Sequence, residues 1–452
     1  MMVLSLAVAL AVGAGPTFSG AATVGVSLTT GDQNSNIAPV VAVRLGVTQV
    51  TPVGIVRGRV ATLVPFQPTT VLSSDLGTSL EFERPFVGGG SWRIRLEPFN
   101  PSMRLVTFDW ANVLGRVFPV VTGFSPVLSA DLQLGVFEGF VAFRSTARFD
   151  QTTGRGAAYV DVLAGAKVTT GDVAIEARVT RLGYGPQPAF AIQGTSEEQW
   201  GLIGASRLTW SRSGGVEAPL DLVTYAGDPR RFERFFQPVD LGPKAFAATV
   251  SLEGGGGVQR LASPATFRTM TLQPLGYADA QGRLRFGQTR LFATLRVSTF
   301  AFLQADSPGF PPNFALGDAP STPALAAFLG VDHTFARSKV TPGVLLRLTM
   351  PATLNSPSLD FGGNAPPPGL IGRTVALEGL NFLSVLPGGT VVSPRFAAKV
   401  SLRWTPAAVF CLVGEAEVLV NPSETGFDNM GTTLTARLAV STRTQLFAQL
   451  RF

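Results

Sequence analysis

Apolar and polar residues alternate one by one in several stretches of this chain. In AKVSLRWT, Ala398, Val400, Leu402 and Trp404 oppose Lys399, Ser401, Arg403 and Thr405; in TLTARLAV, Leu434, Ala436, Leu438 and Val440 oppose Thr433, Thr435, Arg437 and Ala439. A period of two places each set on one face of an extended strand, because successive side chains point to opposite sides. Shorter versions set Trp92, Ile94 and Leu96 against Ser91, Arg93, Arg95 and Glu97, and Ile175, Ala177 and Val179 against Glu176, Arg178 and Thr180. Another sets Val250 and Leu252 against Thr249, Ser251 and Glu253. The pattern reaches the last residue: in TQLFAQLRF, Leu446, Ala448, Leu450 and Phe452 lie opposite Gln445, Phe447, Gln449 and Arg451. A free carboxyl end is normally frayed and polar, so an apolar face running into it implies that the end is held against a protein core or a lipid.

Composition turns this into a fold class. Hydrophobic residues make up 45% of the 452 and charged residues only 15%, well below the usual quarter or so for a soluble domain. Mean hydropathy is +0.28, yet beyond the N-terminus no apolar run approaches the roughly 20 residues of a membrane-spanning helix. Fifty Gly and 33 Pro argue for many strands between turns rather than helices. The single cysteine, Cys411, permits no internal disulfide. The first residues, MMVLSLAVALAVGAGPTFSGAATVG, carry no charge before Asp32, and Val3 to Ala14 has the length of a signal-peptide core, broken by Gly15 and Pro16. Small residues from Ser19 to Ala22 suit a signal peptidase. The expected organisation is a signal peptide over 1–21 and one domain over 22–452, with an uncleaved anchor as the alternative.

Alternation alone also describes a β-sandwich or a soluble barrel. Export, strands along the whole chain without a linker, and the ending on Leu446, Ala448, Leu450 and Phe452 together resemble Gram-negative outer-membrane β-barrel proteins, whose last strand ends in an aromatic residue after alternating apolar ones. The resemblance implies an all-β, antiparallel transmembrane β-barrel in the cell outer membrane. It also implies contact with outer-membrane lipid, a C-terminal element read by the barrel-insertion machinery, and envelope or surface proteins as further candidate partners. At about 10 residues per crossing plus connections, the mature chain suits about 14–18 strands, with about 16 as the central expectation. Barrels of this class carry interfacial belts of Tyr and Trp; with 4 Tyr and 5 Trp against 33 Phe, Phe must supply most of the belt. Thr405 to Ala408 and Ser441 to Thr444 read as tight turns, and Asn421 to Gly431 as a long loop. Two tight periplasmic turns would leave Phe452 at the cell surface, whereas a periplasmic terminus would make the long loop periplasmic.

Catalytic chemistry finds little foothold. His333, the sole histidine, is adjacent to Asp332 on a strand, which sends the two side chains to opposite faces. Cys411 sits in apolar AVFCLVG and reads as a wall residue. One His and one Cys exclude a histidine- or thiolate-rich metal site, and no cofactor or enzymatic activity is expected. The glycine clusters at Val87 to Ser91 and Glu253 to Val258 lack the Lys-Ser or Lys-Thr of a phosphate loop and read as turns. Ser358 to Gly372 reads as an exposed loop. Asp228 to Asp240 breaks the strand pattern: Asp228 and Pro229 suit a helix start and Pro238 a stop. The two-turn helix would set Phe232, Phe235 and Phe236 on one face and Arg230, Arg231 and Arg234 mostly elsewhere, packed in the lumen as a constriction, along the membrane interface or over a rim.

The chain carries 36 Lys plus Arg against 30 Asp plus Glu, and the cations are scattered along strands rather than gathered in a basic arm, which argues against nucleic acid. On the barrel reading, Arg93, Arg95, Lys399, Arg403, Arg437 and Arg451 face the lumen, with Glu97, Glu176, Glu415 and Glu417 opposing them. The function this implies is a passive porin-like channel for small solutes or ions. The alternative is a non-conducting structural or adhesive barrel that acts through its loops.

Overall fold

A computed structural model describes residues 15–30, 35–65, 78–97, 127–150, 155–186, 198–216, 246–262, 270–298, 320–322, 324–350, 353–354, 385–386, 389–390, 395–427 and 434–452. Eighteen strands form one sheet: β1 (Thr17–Thr30), β2 (Ser35–Thr51), β3 (Gly54–Pro65), β4 (Ser79–Pro85), β5 (Ser91–Glu97), β6 (Val127–Leu134), β7 (Phe137–Asp150), β8 (Arg155–Thr170), β9 (Val173–Pro186), β10 (Glu198–Arg212), β11 (Phe246–Ala262), β12 (Met270–Phe286), β13 (Thr289–Ser298), β15 (Ala324–His333), β16 (Val340–Met350), β20 (Arg395–Ala407), β21 (Phe410–Phe427) and β22 (Leu434–Arg451). Each pairs antiparallel with the next, and β22 returns to pair with β1. The ring therefore has no edge, and the wall satisfies its own backbone donors and acceptors. Two small two-stranded sheets are separate from it: β14 (Pro320–Thr322) with β17 (Thr353–Leu354), and β18 (Val385–Leu386) with β19 (Gly389–Thr390).

The count of 18 stands at the top of the expected 14–18 rather than at 16, because one rim spends very few residues on turns. Residues 52–53, 135–136, 171–172, 287–288 and 408–409 are whole connections, all at that rim. Gly135, Gly171 and Gly287 open three of them with φ of 57°, 57° and 56°, a left-handed conformation that side chains resist. Connections at the opposite rim are mostly longer, such as 98–126 and 355–384 with their flanks. The β10–β11 connection, residues 213–245, is the long exception on the short-turn rim.

Three expected turns resolve differently. Ser441 to Thr444 lies inside β22, where Thr442 and Thr444 pair with Val418 and Ala416; polarity suggested a turn, but the ladder continues through it. Glu253 to Val258 lies inside β11, its glycines paired with β10 on one side and β12 on the other. Pairing on both flanks supplies the order that glycine itself does not. The turn expected at Thr405 to Ala408 sits at Ala408 and Val409. Asn421 to Phe427 extends β21 rather than opening a loop, and the rest of that loop lies outside the described residues, as do Ser358 to Gly372 and Asp228 to Asp240. Val87 to Ser91 does contain the β4–β5 turn, with Gly89 and Gly90 at φ of 87° and 114°.

With Ser441 to Thr444 inside a strand, the dilemma over the terminus disappears. The Arg451 amide donates to Val409 O at 2.8 Å, so Phe452 lies at the short-turn rim. The first strand begins at Thr17, inside the segment expected to be removed.

The two faces of the sheet are inverted relative to a soluble protein. Leu80, Ile94, Leu128, Val250, Leu252, Val400, Leu402, Leu446 and Leu450 point outward and are exposed. A soluble monomer rarely exposes a contiguous apolar patch beyond a few hundred Å², and each such side chain left in water forgoes about 1.5–3 kcal/mol. From Phe18 to Leu28 on β1, roughly ten steps of about 3.4 Å at a tilt near 40° give an apolar band about 26 Å tall, the height of the lipid-facing band of outer-membrane barrels. Aromatic side chains gather at its short-turn edge: Phe82 with Trp92 and Phe246 with Phe286, both at 5.3 Å between ring centroids, and Trp404 with Phe410 at 6.3 Å. Phe18, Phe137, Phe335 and Phe452 are exposed at the same level. Phe does supply most of this belt.

Candidate functional site

The chemistry of the barrel lies on its inner wall, which divides into two arcs. Along β3 to β6 the cross-strand register alternates charge: Arg57 faces Glu81, which faces Arg95, while Glu83 faces Arg93, which faces Asp131. The side chains follow. Arg57 Nη1 donates to Glu81 Oε1 at 2.6 Å and also to Glu83, Arg95 Nη2 donates to Glu81 Oε2 at 2.6 Å, and Arg93 Nε donates to Asp131 Oδ2 at 2.9 Å. On β7 and β8, Lys167 Nζ stands 3.4 Å from Glu138 Oε2. The cations here remain open to water, with the Arg93 and Lys167 side chains 35% and 38% exposed, while Glu81 between Arg57 and Arg95 is only 6% exposed. Opposed charges on neighbouring strands stabilise the pairing by about 0.2–1 kcal/mol each.

From β10 to β22 the inner wall is also charged, but buried. Arg290 holds Asp332 through two bonds, Nε to Oδ1 at 2.7 Å and Nη2 to Oδ2 at 2.6 Å, and Lys399 Nζ lies 3.4 Å from Glu415 Oε1. The Arg290 and Lys399 side chains are only 5% and 1% exposed. Arg207 donates to Ser251 Oγ at 3.2 Å, Gln281 to Asp279 Oδ1 at 2.8 Å, and Arg285 to Gly287 O at 2.8 Å. Charges this far from water persist only when hydrogen-bonded, because desolvation costs several kcal/mol per ion. Within the first arc, on β6 to β8, Val127, Ala142 and Leu163 form an inward apolar cluster with Phe140 against it, and from β9 the Arg178 guanidinium lies 4.4 Å above the Phe140 ring while pairing with Glu176.

The inner wall also receives the start of the β10–β11 connection. Val216 is buried there; its amide donates to Thr249 Oγ1 at 2.9 Å, and its carbonyl accepts from Arg283 Nη1 at 3.1 Å. Arg230, Arg231, Phe232, Arg234, Phe235 and Phe236, further along that connection, lie outside the described residues.

The remaining expected wall residues are dispersed over both arcs rather than brought into one site. Arg93 and Arg95 sit on the open arc. Lys399, Arg403, Glu415 and Glu417 sit on the buried one. Arg451 is half-buried and donates to Gln449 Oε1 at 3.0 Å. Arg437 pairs with Glu424 in the backbone register, and its side chain is outside the described residues. Glu97 is buried at the end of β5, and Glu176 pairs along its own strand with Arg178. Leu446, Ala448, Leu450 and Phe452 all lie on the outer face of β22. Asp332 and His333 point to opposite faces as expected, His333 Nδ1 lying 2.9 Å from Thr289 Oγ1. Cys411 is buried on the inner face, its Sγ 3.4 Å from Thr405 Oγ1.

Sequence reasoning missed Arg57, Glu81, Glu83 and Asp131, and the buried Arg283, Arg285 and Arg290, and it named Asp332 only as the strand neighbour of His333. The signal was present: in LEFER, Leu80 and Phe82 alternate with Glu81 and Glu83, and in GRLRF, Leu284 and Phe286 alternate with Arg283 and Arg285.

No protein-family model matches the sequence, and no curated protein matches it. Solved structures from Pseudomonas aeruginosa are similar in fold over almost their full length. OccK2 (OpdF) in complex with glucuronate aligns with a TM-score of 0.53 at 10% identity, covering 97% of this chain and 98% of that one. OpdL aligns with a TM-score of 0.52 at 8% identity, again over 97% and 98%. The outer membrane protein OpdK aligns with a TM-score of 0.50 at 9% identity, over 96% of this chain and 99% of that one.

Proposed function

We propose that this chain is a passive, porin-like channel for small solutes in the outer membrane of a Gram-negative cell, with its short-turn rim and Phe452 on the periplasmic side. The observation that carries the reading is the inverted wall: a closed ring of 18 strands, apolar and aromatic outside, charged within. Barrels of this size are wide enough for an aqueous lumen, and short turns face the periplasm in this architecture. The glucuronate complex of OccK2, a protein of the same fold, supports a small polar solute as the cargo class. The water path follows the open arc of β3 to β8, where charged side chains keep contact with solvent. Its cations are matched by Glu81, Glu83, Asp131 and Glu138, so selectivity between ions is weak. Lipid covers the outer face, the insertion machinery reads Leu446 to Phe452, no nucleic acid is bound, and catalysis has no place in this scheme.

One observation favours the alternative of a non-conducting structural or adhesive barrel: among the described residues, the inner face of β10 to β22 is largely buried. Planar-bilayer conductance and liposome swelling with small sugars and sugar acids decide between them. Protein shown to be folded by heat-modified gel mobility should conduct and admit the solutes. Folded barrels that conduct nothing favour the structural reading.

A further inference from the structure

We infer that any cut made during export falls ahead of Thr17, so that Thr17 to Ala21 remain in the mature protein as the start of its first strand. Small residues do not settle this, since Ala11, Gly13 and Ala14 suit a signal peptidase as well as Ser19 to Ala22 do. The ladder settles it. Thr17 to Ala21 pair residue by residue with Thr48 to Arg44 of β2, and Thr17 Oγ1 donates to Thr48 O at 3.3 Å. On the other flank they close the barrel: the Gly20 amide donates to Phe452 O at 2.8 Å, and the Phe452 amide donates to Gly20 O at 3.0 Å. Gly20 is also a socket for the terminal ring, because any Cβ there would overlap the Phe452 side chain. Phe18, on the same outer face, joins the aromatic belt.

A chain starting at Ala22 would lose this entire corner. Phe452 would keep no partner on the β1 side, and Arg44 to Thr48 of β2 would become an edge at the level of the belt. Unpaired backbone at a membrane boundary is costly, and an open edge invites pairing with other chains. The same apolar ending that resembles an insertion signal thus needs Gly20 as its neighbour in the finished barrel.

The test rests on export to a membrane but not on conductance, so its failure is distinguishable from failure of the channel reading. The full chain is expressed in a Gram-negative host, recovered from the membrane fraction and examined by terminal sequencing and intact mass. Every mature chain should contain Thr17 to Ala21; a mature chain starting at Ala22 or Thr23 overturns the inference. A second measurement refolds chains starting at Gly15 and at Ala22 in detergent. The longer form should show heat-modified mobility and the higher unfolding temperature, and a shorter form of equal or greater stability counts against the inference.

Discussion

The inner wall carries opposite charges in both of its arcs, yet the arcs differ in what those charges can do. Along β3 to β8 the pair of Arg93 and Asp131 is wet on both sides, and Arg57 and Arg95 reach water even though the Glu81 they share is buried. Along β10 to β22 the pairs of Arg290 with Asp332 and Lys399 with Glu415 are nearly dry. A wet pair is weakly coupled because water competes for both partners. A dry pair is locked, because separating it strands a charge away from solvent. The same alternating pattern can thus line a path on one side of a barrel and brace it on the other, and solvent exposure, more than residue type, separates the two roles.

The largest expected effect follows from that difference. Asp332→Ala leaves the Arg290 guanidinium buried without its two-bond partner and should destabilise the barrel by about 3–5 kcal/mol. Asp131→Ala leaves Arg93 in contact with water and should cost no more than about 1 kcal/mol. Urea unfolding of both variants in lipid vesicles measures the gap. Equal costs would show that the arcs do not differ energetically.

A somewhat smaller effect tests the outer face. Leu402 is exposed and outward, while its neighbour Ser401 is inward and opposite Glu415 in register. Leu402 lies one outward step inside Trp404 of the belt, so Leu402→Arg should cost about 1–2 kcal/mol, below the midplane value of about 2–4 kcal/mol, whereas Ser401→Arg gains a carboxylate neighbour and should fold. Similar refolding yields for the two would mean that the outer face does not meet hydrocarbon.

Much of the wall was legible from alternation. Every quoted face holds where its side chains are described: even-numbered residues point outward together from Leu438 to Phe452. That parity also held the answer to the false turn, since Val440 and Leu446 can share a face of one uninterrupted strand across Ser441 to Thr444. Four polar residues in a row mimic a turn, and only the unbroken parity shows that β22 is one strand rather than two. The glycines of β11 misled for a related reason: their order comes from β10 and β12, which lie outside any local window. Pairs such as Arg93 with Asp131 or Arg290 with Asp332 were not legible, because they depend on cross-strand register between segments 38 and 42 residues apart. Nor was the division into wet and dry arcs, since solvent exposure of a wall residue depends on what the folded chain places over it, as Val216 is placed over Thr249 and Arg283. The belt was half legible: the Phe excess was visible, but setting Phe246, Phe286 and Phe410 at one level required the turns to be placed.

The smallest effect concerns ion selectivity. Asp131→Asn removes one negative charge from the open arc and leaves Arg93 with a neutral acceptor. The fold should change little, but the wall of the proposed water path becomes more positive by one charge. Reversal potentials across a salt gradient should shift toward anions, and the shift should shrink as salt is raised, because at about 0.15 M a charge is screened beyond roughly 8 Å. Lys399→Gln supplies the contrast. Its ammonium lies 3.4 Å from Glu415 and is nearly sealed from solvent, so the substitution should lower stability while leaving selectivity where it was. If Lys399→Gln moves the reversal potential as far as Asp131→Asn does, ions pass along the buried arc, and the assignment of the water path to β3 to β8 is wrong.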